Sequence, residues 1–278
     1  MLIDLPAAAR AQGMRRSKPL PLITTTQEQR NRLYRCYAPV VEAWRVGARE
    51  QLLPVYGRTI TSITDSIPEY EQAEANLAEQ IARLVLNITA TGGVLDAWAV
   101  SLEQWHRRRF VAGALSASGV DLSAMIGPAD ARLSVEQSIA WNTSLIRDVS
   151  DETRRRVANA FFAGFQARTP ARELGKQIDA AAGLGRKRSA RIAADQTVKL
   201  AASLDAERQR SVGIVEWVWR HSGKAHPRLD HVARNLKHYG DTAAIAREIG
   251  VLPPPADLPG QLPYCGCVRQ SFLRLDED

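Results

Sequence analysis

Histidine and cysteine side chains cluster towards the C-terminal end of the chain. Four of the five histidines lie within 18 positions, and two of the three cysteines follow them. Imidazole nitrogen and thiolate sulfur are the usual ligands of a tetrahedral zinc ion. A structural zinc would also add folding energy to a segment with few apolar residues. The residue types therefore predict a zinc site made from His226, His231, Cys265 and Cys267.

Other interpretations of the same residues stand beside the zinc site. The spacing of the Cys-x-Cys pair matches no zinc-finger template, so His231 and the cysteines can also be read as packing and hydrogen-bonding without a metal. A metal-dependent nuclease centre containing Asp230, His231 and Asn235 is a further interpretation, which rests on residue types alone.

Catalytic motifs are missing from the sequence. It contains no G-x-S-x-G motif, no Walker phosphate loop and no H-E-x-x-H pair. A zinc deaminase needs a His-x-Glu beside its cysteines, and His226-Pro227-Arg228 lacks the glutamate. We therefore expect a protein that is not an enzyme and has no small-molecule substrate.

Short strands must position this cluster. From Ile214 to His221, successive residues alternate with a period of two, and the stretch is rich in Val, Ile and Trp. This pattern predicts a strand. A partner strand is expected from Val268 to Leu273. Between them the chain is rich in Pro and Gly, which predicts an irregular C-terminal tail.

Amphipathic helices are predicted for most of the remaining chain. Apolar residues recur at spacings of three and four from a capping box at Thr25 and Glu28 onwards. Breaks are expected at Pro39, between Pro54 and Pro68, near Ser150 and near Gly183. The predicted fold is mainly α with a small α+β C-terminal domain, which contains one short β-sheet. The predicted divisions are a basic flexible arm (1–24), an N-terminal helical region (25–127) and a C-terminal domain (128–278).

The charge of the chain favours an anionic partner. The formal net charge is +7 and the calculated pI is near 9.6, which suits nucleic acid or an acidic protein surface. No signal peptide or run long enough to span a bilayer is evident, and three unpatterned cysteines suggest a reducing compartment. Candidate contact residues lie in the arm and at the start of a long helix: Arg15, Arg16, Arg186, Lys187, Arg188 and Arg191.

Several short motifs from about Arg186 to Val268 occur in an order that resembles the phage Mu F-like minor head (head morphogenesis) family. The run Ile192-Ala193-Ala194-Asp195-Gln196-Thr197 with Lys199 is similar to the I-A-R-D-Q-T-x-K-L motif of the family. Trp219 ends the predicted strand, and Arg228 with His231 has the R-x-x-H spacing. Pro263-Tyr264-Cys265-Gly266-Cys267 resembles the closing P-x-C-x-C motif.

The resemblance implies a structural role in a tailed phage. It implies a minor capsid protein that acts in head assembly near the portal, with the portal and major capsid proteins as partners. Contact with packaged double-stranded DNA is part of the same expectation, whereas no membrane is expected. The implied location is the virion, after assembly in the host cytoplasm. A DNA-binding module or a metal-dependent nuclease used in packaging or injection is the alternative.

Overall fold

The computed structural model describes residues 3–61, 67–241, 253 and 255–275. About 70% of the described residues are helical, and the described strands form one small antiparallel sheet. The helices are α1 (Leu5–Ala11), α2 (Gln27–Gly47), α3 (Leu53–Thr61), α4 (Ile67–Thr89), α5 (Val94–Ser118), α6 (Arg132–Ala167), α7 (Ala171–Ser211) and α8 (Leu229–Ala233). The strands are β1 (Lys18–Pro19), β2 (Glu216–Arg220), β3 (His238–Gly240) and β4 (Val268–Leu273). The predicted fold class is confirmed.

The long helices continue through most of the predicted breaks. The helix α2 continues through Pro39 and into a π-helical turn at Ala48–Leu52, and α3 fills part of the predicted connection after it. The helices α6 and α7 are each a single helix of 36 and 41 residues where the sequence predicted two. The capping box before α2 lies one residue later than predicted, because Thr26 and Gln29 exchange its hydrogen bonds.

The sheet has the strand order β1-β4-β2-β3, and every neighbouring pair is antiparallel. Trp217 pairs with Ser271 on β4 and with Tyr239 on β3. The two strands predicted from the sequence are β2 and β4, and they are direct neighbours as expected.

The N-terminal segment is not the unstructured arm that its prolines predicted. Pro6 lies in the first turn of α1, where a missing N–H breaks no helical hydrogen bond, and Asp4 caps this turn by accepting from the Ala7 N–H at 2.8 Å. Pro19 lies in β1 at the edge of the sheet, where strands tolerate proline. Leu5 and Ala9 are fully buried.

The predicted boundary at residue 127 does not divide the structure. The chain forms two compact units, each made of separated segments. The first unit contains Met1–Gln29, Ala99–Ser138 and Asp195–Asp278, and the second contains Arg30–Trp98 and Ile139–Ala194. The N-terminal segment and the sheet therefore belong to the same unit. Sequence reasoning assigned one domain to each continuous stretch, whereas four helices here, α2, α5, α6 and α7, continue from one unit into the other.

Each unit has its own apolar core. In the first unit, α1, the end of α5 and the residues that flank the sheet form one cluster, which includes Leu5, Phe110 and Leu273. A second cluster joins Trp217, Trp219 and Tyr239 to Cys265 and Cys267. In the second unit the residues that pack ring against ring are Tyr56, Tyr70, Phe161 and Phe165.

One helical stretch, Pro68–Ser118, contains an 18-residue window with a mean hydropathy of 1.3, which also suits a membrane-spanning helix. The sequence reading had not expected such a window. The stretch consists of α4 and α5 with a break between Thr89 and Val94, and 28% of the window is buried. A core helix of a soluble protein meets the same criterion, so the window assigns no location.

Candidate metal centre

Three side chains from two segments meet in the first unit. His231 lies on α8 and points its Nδ1 at the Cys-x-Cys pair that precedes β4. The Sγ atoms of Cys265 and Cys267 are each 3.6 Å from this nitrogen. All three side chains are 2–3% exposed.

This geometry fits a zinc ion. Zinc–sulfur bonds of about 2.3 Å and zinc–nitrogen bonds of about 2.1 Å in a tetrahedron separate sulfur from nitrogen by about 3.6 Å. The separation in the structure has that value for both cysteines. All three ligand atoms lie within 4.8 Å of one another. The donors, one imidazole and two thiols, are usual zinc ligands, and they supply three of the four positions of a tetrahedron.

The other ring nitrogen of His231 supports the same interpretation. Its Nε2 lies 2.8 Å from Oδ1 of Asp257, which places the ring proton on Nε2 and leaves Nδ1 as an acceptor. A carboxylate that holds the far side of a histidine ring is the usual outer partner of a zinc-bound histidine. Burial opposes ionisation of Asp257, but hydrogen bonds from Arg234 and His231 outweigh it and lower the pKa of this carboxyl.

The pKa values of the two thiols are shifted in opposite directions. The thiol of Cys267 donates a hydrogen bond to Cys265, which lowers the pKa of Cys265 in spite of burial. The same bond raises the pKa of Cys267. Backbone N–H groups of Cys267 and Gly260 also donate to the Cys265 sulfur. These donors stabilise negative charge on sulfur, which is the form that binds metals.

A second grouping of acidic residues with His231 suits a metal less well. The ligand atoms of Asp230, His231 and Asp257 also lie close together. However, Arg234 is already paired with Asp257, its Nη1 at 2.6 Å from Oδ2, and its Nη2 lies 3.5 Å from Asp230. A cation there would have to displace or tolerate the guanidinium. The thiol grouping has no such competitor among its described contacts.

Residues of the family-like motifs on α7 hold the cysteine loop. Oδ1 of Asp195, which is buried, accepts a hydrogen bond from the backbone N–H of Tyr264, and Oδ2 lies 3.2 Å from Lys199 Nζ. Gln196 donates to the same carboxylate. Tyr264 has a left-handed backbone with φ of 59°, so this bond fixes a tight turn directly before Cys265.

Two further motif residues complete the surroundings. Arg228 donates to the backbone carbonyl of Pro263 at 3.0 Å and thereby joins the start of α8 to the cysteine loop. The ring of Trp219 on β2 packs edge to face against His231, with ring centroids 5.0 Å apart. The Asp-Gln-x-x-Lys, Trp, Arg-x-x-His and Cys-x-Cys positions therefore surround one centre, although they span 73 positions of sequence.

The predicted site residues do not all meet there. His226 is exposed and does not belong to the described cluster of ligand atoms. Arg15 and Arg16 are exposed in the turn between α1 and β1. Lys187, Arg188 and Arg191 are exposed on α7, whereas Arg186 is half-buried and lies 3.6 Å from Glu42. The basic candidates thus lie in two different units.

Sequence reasoning missed Asp257 and Arg234, because both come from segments without a ligand-like spacing. It also missed a buried polar network elsewhere in the first unit. His106 on α5 contacts Asp205 and Arg208 on α7, and Arg208 Nη2 donates to Glu103 at 2.7 Å. Burial lowers the pKa of Arg208 to about 10. His106, the one histidine outside the C-terminal cluster, was the only sequence signal of this network.

Compared with family models, with curated proteins and with solved structures, the chain gives no match.

Proposed function

We propose that this chain is a minor capsid (head morphogenesis) protein of a tailed phage that acts near the portal, and that a structural zinc stabilises its first unit. The observation that supports the proposal most is the meeting of the family-like motifs around one centre. Asp195, Arg228 and His231 precede the residues that they contact in the segment from Pro263 to Cys267 by 69, 35 and 34 positions. A chance likeness of short motifs gives no reason for such contacts.

The ligands suit a structural ion better than a catalytic one. His231, Cys265 and Cys267 are almost fully buried, and a phosphodiester or other substrate needs an accessible position at the metal. The nuclease interpretation requires such access, so we place it below the structural role. The zinc would be held by these three side chains and would add folding energy to an irregular tail.

The test of the head role is co-expression with the portal protein encoded in the same genome. We expect a complex that survives gel filtration and shows extra density at the portal by electron microscopy. Deleting the N-terminal segment would be a poor test, because Leu5 and Ala9 belong to the core. Charge reversal at the exposed Arg15 and Arg16 is the better variant, with Arg83→Glu on the surface of α4 as the control. Separate elution at low and at physiological salt, together with absence from purified heads, would contradict the role.

Contact with DNA is a second candidate function, and a surface of the second unit favours it. Arg155 and Arg156 on α6 both pair with Glu152, and the charge of Arg188 on α7 acts on the same carboxylate. Three guanidinium groups therefore face one carboxylate, and the exposed Lys187 is adjacent in sequence to Arg188. An excess of cations of this kind binds phosphates with steep salt dependence.

Filter binding to a DNA duplex at increasing salt tests this candidate. We expect Arg155→Glu with Arg188→Glu to reduce affinity and to flatten the salt dependence by about one phosphate contact for each residue. The control is Arg132→Glu, another exposed arginine that pairs with a glutamate, in the first unit. No binding at low salt, or equal loss in the control, would remove DNA contact from the proposed role.

A further inference from the structure

The helix α8 has one face that contacts the metal centre and an opposite face that is exposed. At about 100° per residue, Leu229, Val232 and Ala233 fall on the side of the helix away from His231. Leu229 is 83% exposed and Val232 is 43% exposed. Leu236, in the turn that follows, is 58% exposed. We call Leu229, Val232 and Leu236 together the α8 face.

The backbone does not account for leucine at position 236. Leu236 has a φ of 66°, in the left-handed region that suits Gly or Asn and is unfavourable for a branched side chain. Its N–H donates to the Trp219 carbonyl at 2.8 Å, which holds the conformation in place. Since the side chain is largely exposed, burial does not repay this cost. A role for the apolar side chain at the surface would.

Positive charge predominates in the segment that carries the α8 face. Between Arg220 and His238 the chain has five Lys or Arg residues and a single acidic residue, Asp230. Lys224 and Arg228 are exposed and donate to backbone carbonyls, which leaves their charge uncompensated in these contacts. Lys237 is exposed next to Leu236. Asp230 lies 3.5 Å from Arg234.

We propose that the α8 face binds an acidic amphipathic helix of a partner protein. Such a helix presents apolar side chains at spacings of three and four, which would cover Leu229, Val232 and Leu236. Asp and Glu residues along its flanks would meet Lys237, which is exposed next to Leu236 in a segment of net positive charge. The metal centre fixes the orientation of the face, because a helix of five residues is not stable alone and His231 anchors this one. The proposal does not depend on the head role.

Other occupants fit these features less well. A DNA duplex offers phosphates to the cations but no apolar surface to three exposed aliphatic side chains. A second copy of this chain across a two-fold axis would bring the same cations against one another. A membrane surface usually needs a much longer amphipathic helix than the five residues of α8.

The test is a selection with the full-length chain against a displayed library of random peptides about 16 residues long, which span about four helical turns. We expect enriched peptides to combine a helical apolar stripe with flanking Asp and Glu. The double substitution Leu229→Ser with Leu236→Ser should reduce the affinity for the tightest-binding peptide by about tenfold or more. The substitution Lys237→Glu should also weaken peptide binding, and the loss of affinity should be larger at low salt than at high salt.

The control variant is Leu86→Ser with Leu184→Ser, which changes two leucines of similar exposure in the second unit. Circular dichroism of every variant checks that the fold is kept. If the double serine variant is unstable, Lys237→Glu gives a second readout of peptide binding. Enriched peptides that are basic, or that bind the α8-face and control variants equally, would overturn the proposal. It would also be overturned if vesicles containing phosphatidylserine, or a DNA duplex, bind the protein in place of peptides and lose binding in the α8-face variant.

Discussion

At the scale of single residues, His231 is held from both sides of its ring. Nδ1 faces two sulfur atoms and Nε2 bonds to Asp257. The third cysteine, Cys36, lies in the other unit, and burial raises its pKa to about 12. The chain therefore contains a thiol pair beside a histidine and a separate buried thiol, which serve as variant and control.

Purified protein should contain about one zinc ion per chain, because two thiols and one imidazole already supply three of the four ligands of a tetrahedral zinc ion. Replacing Cys265 and Cys267 with Ser should remove the metal, as measured by elemental analysis. Cys36→Ser should keep it. A wild-type protein that is free of zinc after expression in zinc-supplemented medium would contradict the prediction and favour the metal-free packing of these residues.

Asp257→Asn should weaken zinc binding by about 10- to 100-fold. The neutral amide replaces the charged carboxylate that accepts the hydrogen bond from Nε2, and this charge orients and polarises the ring. Competition with a fluorescent chelator measures the change. Asp230→Asn is the matched control: this neighbouring carboxylate is 55% exposed and lies 3.5 Å from Arg234. Equal effects of the two substitutions would mean that general charge, and not the hydrogen bond to His231, determines the affinity.

The ligands could be chosen from the sequence because His and Cys are rare and clustered. Their surroundings could not, since Asp257 looks like any acidic residue of a proline-rich tail. His226 was included only for its proximity in sequence to His231. Five positions separate the two, and the short helix α8 begins between them, so one side chain faces the centre and the other faces solvent.

At the scale of elements, α1 and β1 decide how the N-terminal segment behaves. The prolines predicted an arm, but each occupies a position where its missing N–H costs little. The alternation in β2 was strong enough to predict that strand, and β4 was expected as its partner. The two-residue strand β1 has no pattern of its own and depends on pairing with β4.

Leu5→Ala should destabilise the first unit by about 2–5 kcal/mol, because the Leu5 side chain is fully buried and its loss leaves a cavity. Urea denaturation measures the change in the free energy of unfolding. Leu22→Ala is the control, since that side chain is 38% exposed, and a much smaller loss is expected there. An unchanged urea midpoint in Leu5→Ala would contradict the prediction and would favour the interpretation of the N-terminal segment as a flexible arm.

At the scale of the whole molecule, the candidate metal centre belongs to one of two units. A sequence reading assigns domains by position along the chain and so could not find units that interleave. The sequence lacks strong helix breaks within α6 and α7, which is a local sign that each helix is continuous. Helix continuity, however, gives no information about which distant segments pack together.

Removing zinc with a chelator should increase hydrogen exchange in the first unit around β2, α8 and the segment 255–275. It should leave exchange in the second unit, at 30–61 and 139–194, nearly unchanged, because no ligand comes from it. Mass spectrometry of exchanged peptides resolves the two. Uniform acceleration across both units would mean that they unfold as one cooperative body.

The place of β4 in the sheet has a consequence for biosynthesis. This strand lies between β1 and β2, although it follows both in the chain. A ribosome releases β1 early and β2 about 200 residues later, yet neither has its shared neighbour until Val268–Leu273 emerges. The second unit is complete once residue 194 has left the exit tunnel. Nascent chains should therefore become protease-resistant in two stages, with the sheet closing last.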